Sequence, residues 1–582
     1  MRLLFRTISS IGQFLWRFRV EILLFALLIP SFKDLLAPGF FPMHDDLQVF
    51  RLYEVHKCIL DGQIPCRWVP DAGYGYGYPL MQFYPPMPYY PMELMVILGA
   101  GYFLPVKIMF ALALLLSGLG MYFLAKEFFG KWGGVLAAVL YVYSPYHSVD
   151  IYVRGAMNEG WGMVWFPFVL LFIYRLILKD RNKKLNLVLI SLALAMQLTS
   201  HNVMTMVFAP SAIVWALFWI WYSKNWKSIK DLIFAGLLGV GLSAFFFIPV
   251  VLEQKYVHVD SMIVGYFNYL AHFADLNQLF TSRFWGYGGS TWGPEDNMSF
   301  SIGQVQWITA FLGGLIALAS LFIRRLSAAA KEKVASKSRI VETIVVMLVI
   351  FGLGYAFLTH SRSVYFWDRI SILQFAQFPW RLVALIVFYF SFAGGYLATV
   401  NFPKFIKPLL FSGLILFTIV WNLPFFRVER HTRLTIEEKL SGFLWEMQVT
   451  GGIFDYLPRS APKPPGDPAF TIPQYTEGTG GIMDYKSGSN WMSFTANVST
   501  SSAKVMLPLY TYPGLVTKVD NRVVETEIDW ELGRVIVYVP EGLHTVSAKI
   551  GYTTKRFLSE LITLISVVVL IKLIIDARKH PA

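Results

Sequence analysis

Long apolar runs recur along the whole chain, and no other feature constrains its fold as strongly. They fall at 20–38, 106–125, 133–145, 160–178, 185–200, 203–222, 231–251, 304–323, 340–358, 380–399, 408–424 and 557–575. A helical crossing of a bilayer needs ~20 apolar residues, so the pattern predicts a polytopic α-helical membrane protein with about 12 transmembrane helices. The shorter runs must borrow flanking residues or be buried among neighbours. Only 15% of the residues are charged, against ~25% in an average soluble protein, which excludes a water-soluble or disordered chain.

Orientation follows from the basic residues. The apolar stretch 87–101 lies next to Pro79, Pro85, Pro86, Pro88 and Pro91 and lacks charged flanks, so it reads as an interfacial or re-entrant helix. With that reading, the segments 1–19, 126–132, 179–184, 223–230, 324–339, 400–407 and 576–582 lie inside and hold 23 Lys and Arg in 71 residues. The outer segments 39–105, 145–159, 252–303 and 359–378 hold 8 in 154. This asymmetry puts both termini in the cytoplasm. The net charge of +13 is thereby accounted for by inner loops, and nucleic acid is not an expected partner. Four arginines within 2–19 lead directly into the first apolar run, which reads as a retained anchor.

The polar region 425–556 falls outside and changes character. Stretches 504–509, 534–539 and 544–550 alternate apolar and polar residues between turn signals at Asp520-Asn521 and Glu541-Gly542. That predicts a small extracytoplasmic β-rich domain, a sandwich in the simplest case. The expected organisation is a membrane module over 1–424, with interfacial helices in the first outer loop 39–105, then the β-rich domain over 425–556. A final transmembrane helix and cytoplasmic tail over 557–582 follow.

The polar residues worth attention collect on the outer face. The first loop opens Pro42-Met43-His44-Asp45-Asp46, and Val49, Leu52, Tyr53, His56, Ile59 and Leu60 follow at helical spacing. This predicts an amphipathic helix on the membrane surface. Asp45 with Gln48 fits a capping box, and Asp46 suits the helix dipole. A carboxylate held at such a helix start also suits a general base toward a hydroxyl, and His44, Asp45 and Asp46 are the residues that would hold a divalent cation, Mg or Mn. Arg154 and Glu159, five apart near the start of a span, suit an ion pair or a functional site. His201-Asn202 falls at a helix break, and Arg381 follows Pro379-Trp380 at the outer end of a span, where a lipid phosphate is one partner and snorkelling the alternative. The glycines of Gly73-Tyr74-Gly75-Tyr76-Gly77 read as an aromatic turn, since no βαβ unit surrounds them. Cys58 and Cys66 can pair if their loop faces an oxidising compartment.

Taken together, His44-Asp45-Asp46, the stretch from Asp61-Gly62 to Tyr84-Pro85-Pro86, Tyr152-Val153-Arg154-Gly155-Ala156 with Glu159, His201-Asn202 and Pro379-Trp380-Arg381 resemble the GT-C superfamily of membrane glycosyltransferases. Within it they look like the YfhO-like branch, which includes membrane proteins labelled "6-pyruvoyl-tetrahydropterin synthase-related". Asp455-Tyr456-Leu457-Pro458 and Pro508-Leu509-Tyr510 resemble the outer domain of that branch. The resemblance implies inverting transfer of a sugar from a polyprenyl-phosphate donor to a glycan, lipid or protein acceptor outside the membrane, by a monomer. It implies Asp45 as catalytic acid residue, with Asp46 and His44 in support. Arg154 and Arg381 would hold the donor phosphate, and Glu159, His201 and Asn202 would shape the substrate pocket. The competing reading is a transporter or flippase of lipid-linked saccharides, which would place ionisable residues near mid-bilayer; a structural protein is the third.

Overall fold

The computed structural model describes residues 16–179, 182–292, 295–326 and 334–579. Residues 2–15 of the basic N-terminal flank, and the last three residues of the chain, lie outside the described residues, as does the expected cytoplasmic placement of both ends.

The protein is a multi-pass membrane protein. Eight described helices are long and apolar enough to cross, and nine if the pair bent by 80° at Ser243, Ser228–Leu242 with Ala244–Tyr256, is one span. Twelve were expected from the apolar runs, and the difference has identifiable causes. The first run is helical only over Arg19–Leu28 before it passes into short 3-10 turns. Lys183–Ser200 is diluted by Lys183, Lys184, Asn186 and Gln197. The second and third runs form one 40-residue element, Phe103–Val142, broken at Gly130, whose φ of 72° and ψ of −179° are not helical. There the chain doubles back, because Gly134 meets Tyr122 and Gly118 meets Val142. Pro379–Thr399 is the most enclosed span, with 83% of its apolar window inside the protein, and Thr554–Lys579 the least, with 17%. The latter leaves Leu564, Ile565 and Val568 exposed, as a lipid-facing helix must.

Tyr89–Ile97, within the stretch 87–101, is a nine-residue helix. At ~1.5 Å per residue it is too short to cross ~30 Å of hydrocarbon. The preceding helix, Gln48–Leu60, buries Val49, Leu52, Val55 and Cys58 under the protein, and Tyr53 and His56 lie at its edge. It packs into the neighbouring loops, and of the expected stripe only Leu60 is exposed. Cys58 at its end is disulfide-bonded to Cys66.

Beyond the last loops, seven antiparallel strands occupy 474–550: β1 (Gln474–Glu477), β2 (Gly480–Ser487), β3 (Trp491–Tyr510), β4 (Leu515–Val519), β5 (Arg522–Val524), β6 (Thr526–Ile528) and β7 (Arg534–Ile550). They form one sheet in the order β1-β3-β7-β4-β5, with β2 also on β3 and β6 on β7. A two-sheet sandwich is therefore not formed; the long β3 and β7 run through both halves and share one core containing Phe494, Val505, Val537 and Val546. Asp520-Asn521 makes the tight hairpin between β4 and β5, both residues having positive φ. Glu541-Gly542 is instead a bend inside β7, opposite the pairing break between Val498 and Ser502 in β3. The aromatic turn at Gly73 to Gly77 docks under this sheet, with Tyr76 against Tyr510 at 5.3 Å.

The segment between the membrane body and β1 contains the short helices Ile436–Lys439 and Gly442–Thr450, and it packs back onto the first outer loop. Phe40 pairs with Thr432, and Tyr74 N donates to Val449 O.

Candidate active site

Where the outer loops converge they enclose a cavity of about 590 Å³, and its wall contains His44, Asp45, Asp46, Arg154, Glu159, His201, Asn202 and Arg381. Backbone pairing brings the first two groups together, since His44 N donates to Val153 O and Asp45 N to Arg154 O. Gly155 permits this approach: its φ is +62°, and a Cβ there would collide with Met43. Asn158 Nδ2 bonds the carbonyls of Pro85 (2.7 Å) and Ser200 (2.9 Å), tying the proline-rich loop and the His201 break to the same wall.

At one end of the cavity Asp45 Oδ2 accepts from Arg51 Nη1 (2.8 Å), Gln48 Nε2 (3.0 Å) and Tyr84 OH (3.4 Å). Oδ1 takes none of these bonds. The expected capping box is absent: Leu47 is the helix N-cap, and Gln48 turns back to Asp45 and to Gly155 O. Arg51 is buried, with its guanidinium 4.0 Å from the Tyr84 ring centre. Asp46 pairs with Lys439 at 2.7 Å. Burial raises the Asp46 carboxyl above its ordinary value, Lys439 opposing and Asp45 adding to the shift.

At the other end, Glu159 sits between two guanidinium groups, Arg154 Nη1 at 2.9 Å and Arg381 Nε at 3.0 Å, while Tyr146 OH donates to it at 2.9 Å. Arg154 also pairs with the buried Asp150. Arg381 Nη1 is spent on Ala376 O and Gln377 Oε1. The Nη2 groups of Arg154 and Arg381 take none of these bonds. Trp380 stacks between Phe300 and Phe378 and lies 4.7 Å from Arg154. His201 Nδ1 accepts from Met204 N and so caps the helix Asn202–Ser223; burial first, then Arg381, pushes its pKa down to about 3. Burial likewise lowers His44, whose Nε2 is bonded to Tyr287 O. Both imidazoles are neutral near pH 7.

These commitments bear on the expected cation. Asp45 is held by Arg51, Asp46 by Lys439 and His44 by a carbonyl, and among the described residues no group of three His, Cys, Asp or Glu is placed to hold a metal. His44, Asp45 and Asp46 are thus each engaged by another protein group, while Asp45 Oδ1 stays unengaged.

Several wall residues were not anticipated: Arg51, Tyr84, Lys439, Asp455 and Tyr456. Three of the four acids in the wall, Asp45, Asp46 and Glu159, have ion pairs. Asp455 has neither an ion pair nor a side-chain hydrogen bond among the described residues. The helical spacing from Gln48 to Arg51 was a signal for Arg51, while nothing local marks Lys439 as the partner of Asp46, some 400 positions earlier.

Residues 84–252 match the sequence model of the dolichyl-phosphate-mannose-protein mannosyltransferase family. A protein of Lactococcus lactis subsp. cremoris described as uncharacterized is 27% identical over 220 residues, and the match spans 35% of this chain and 34% of that one. Among solved structures, arabinofuranosyltransferase AftD from mycobacteria superposes with a TM-score of 0.43 at 14% identity, covering 70% of this chain and 26% of AftD. The apo oligosaccharyltransferase of Archaeoglobus fulgidus gives 0.40 at 12% identity, covering 72% and 57%. ArnT from Cupriavidus metallidurans, bound to undecaprenyl phosphate, gives 0.37 at 13%, covering 76% and 75%.

Proposed function

We propose that the protein is an integral membrane glycosyltransferase of the GT-C superfamily, on its YfhO-like branch. It transfers a sugar from a polyprenyl-phosphate donor to an acceptor on the extracytoplasmic side. The observation that carries this reading is the two-ended cavity: a carboxylate with one oxygen clamped and one unengaged faces the same space as two guanidinium groups that each retain an unused Nη2. The similarity of residues 84–252 to a family named for a lipid-phosphate-linked mannose donor supports the donor class.

In this reading Asp45 Oδ1 takes the proton of the acceptor hydroxyl as its oxygen attacks the anomeric carbon. The bond from that carbon to the phosphate oxygen breaks, its electron pair stays on the phosphate, and polyprenyl phosphate leaves. Attack from the face opposite the phosphate inverts the anomeric centre. Arg51, Gln48 and Tyr84 keep Asp45 oriented, a preorganisation that costs nothing at the moment of reaction. Arg154 and Arg381 receive the phosphate charge, with Glu159 holding both in place. His44, His201 and Asn202, uncharged at pH 7, shape the sugar pocket. A general base contributes ~10²–10⁴ in rate.

The test is sugar transfer from a panel of polyprenyl-phosphate sugars by the purified protein in lipid, comparing wild type with Asp45→Asn and Asp46→Asn. Loss of turnover in Asp45→Asn with donor binding retained supports the assignment. Equal turnover in all three removes Asp45 from the chemistry.

A further inference from the structure

Asp455 stands apart from every other acid in the cavity wall. It follows Gly452, whose positive φ turns the chain out of the helix Gly442–Thr450, and it precedes Tyr456, which stacks on Phe83 at 5.6 Å. Its backbone N–H is bonded to Gly452 O, but its carboxylate takes no hydrogen bond and no ion pair among the described residues. The side chain is half-buried and lines the cavity. Burial pushes its pKa up to about 6, with Arg51 opposing and Asp45 adding to the rise.

Arg51 acts on this carboxylate through its charge and makes no hydrogen bond to it, its Nη1 being bonded to Asp45. Its hydrogen bonds are made with what occupies the cavity, water or a bound molecule. A molecule that reaches both Asp45 and Asp455 presents a hydrogen-bond donor to each carboxylate. A sugar does so with neighbouring hydroxyls, and it offers C–H faces to the Tyr456 ring beside them; a seryl or threonyl side chain has a single hydroxyl. Pockets of this kind fix orientation with a few polar groups set in an aromatic lining.

Resting on the glycosyltransferase reading above, we propose that Asp455 binds the acceptor through a second hydroxyl, next to the one that reacts at Asp45, and so selects a carbohydrate acceptor. Asp455 is a specificity-determining residue in this scheme and takes no proton in the transfer.

The test separates binding from turnover. Methyl glycosides of mannose, glucose, galactose and arabinose are titrated against the purified full-length protein in nanodiscs by saturation-transfer NMR, for wild type, Asp455→Ala and Asp455→Glu. At least one glycoside is expected to bind wild type, about tenfold more weakly to Asp455→Ala, and with recovery in Asp455→Glu. Equal affinity for wild type and Asp455→Ala, or no glycoside binding to wild type, overturns the proposal whether or not any donor is turned over. With a donor that wild type uses, Asp455→Asn is expected to raise the acceptor KM about tenfold with kcat within about twofold and donor KM unchanged. A fall in kcat at unchanged acceptor KM would make Asp455 a group in the chemistry and overturn the binding role. Absence of turnover with every donor would count against the transferase reading while leaving the glycoside titration to decide the role of Asp455.

Discussion

Arg381 Nε bonds the Glu159 carboxylate at 3.0 Å across 222 residues of sequence, and both side chains are almost wholly buried. The pair joins the most enclosed span to the first turn of Met157–Leu178 in the cavity wall. Glu159→Ala would leave Arg154 and Arg381 facing each other with one fewer counter-charge. Removing one partner of a buried pair costs about 3–5 kcal/mol. The expected result is a large drop in thermal stability of the protein in lipid, and the Glu159→Ala, Arg381→Ala double variant should lose less than the sum of the two single losses. Additive losses would show that the two side chains do not act on each other.

Asp455 carries a pH signature. In the folded protein its carboxyl is raised from an ordinary 3.8 to about 6, so between those values the native state binds more protons than the unfolded chain. Stability contributed by this group therefore falls as pH rises from 4 to 6 and stays lost above. Allowing for solvent in the cavity, the cost is roughly 2 kcal/mol at pH 8. Asp455→Asn should raise the melting temperature at pH 8 and leave it unchanged at pH 3.5. The same gain at both pH values would mean that packing, not charge, accounts for it.

Much of the membrane architecture was legible because apolar runs report helices directly: the body of each run contains a helix in the structure. Their number as independent spans was less so. The loop expected at 126–132 is the reversal at Gly130, whereas Ser243 bends a single run by 80°, which a serine in an apolar sequence does not announce. The cavity wall was legible where charge is scarce, since an acid or arginine beside an apolar run is conspicuous; Asp45, Arg154, Glu159 and Arg381 are of this kind. Lys439 and Asp455 lie in a polar segment where charge is ordinary, and only the folded chain brings Lys439 to Asp46. In β7 the alternation was visible, but a Glu-Gly pair bends a strand as readily as it ends one.

Gly130 offers a separation of backbone strain from crowding. Nothing lies within 4 Å of a Cβ built at Gly130, and the same holds for Gly236 in the helix Ser228–Leu242. Only Gly130 has a positive φ, in a region that glycine alone occupies comfortably. Gly130→Ala should therefore destabilise by about 1–3 kcal/mol, whereas Gly236→Ala should stabilise by up to about 1 kcal/mol through helix propensity. Thermal unfolding of both variants in one lipid preparation checks the contrast; losses of equal size in the two would indicate crowding from the surrounding bilayer instead.

The sidedness of the cavity rests on the distribution of basic residues, and it can be read without any substrate. Trp530 is 87% exposed on the loop between β6 and β7, and Lys224 is exposed at the opposite end of the helix that His201 caps. The two native cysteines are bonded to each other, so a single introduced thiol reports its own surroundings. A membrane-impermeant maleimide should label Trp530→Cys in intact cells and Lys224→Cys only after permeabilisation. Because the helix ends hold the outer loops and the sheet in one packed body, labelling in the reverse order would carry the whole cavity to the cytoplasmic side. An extracytoplasmic acceptor would then be ruled out.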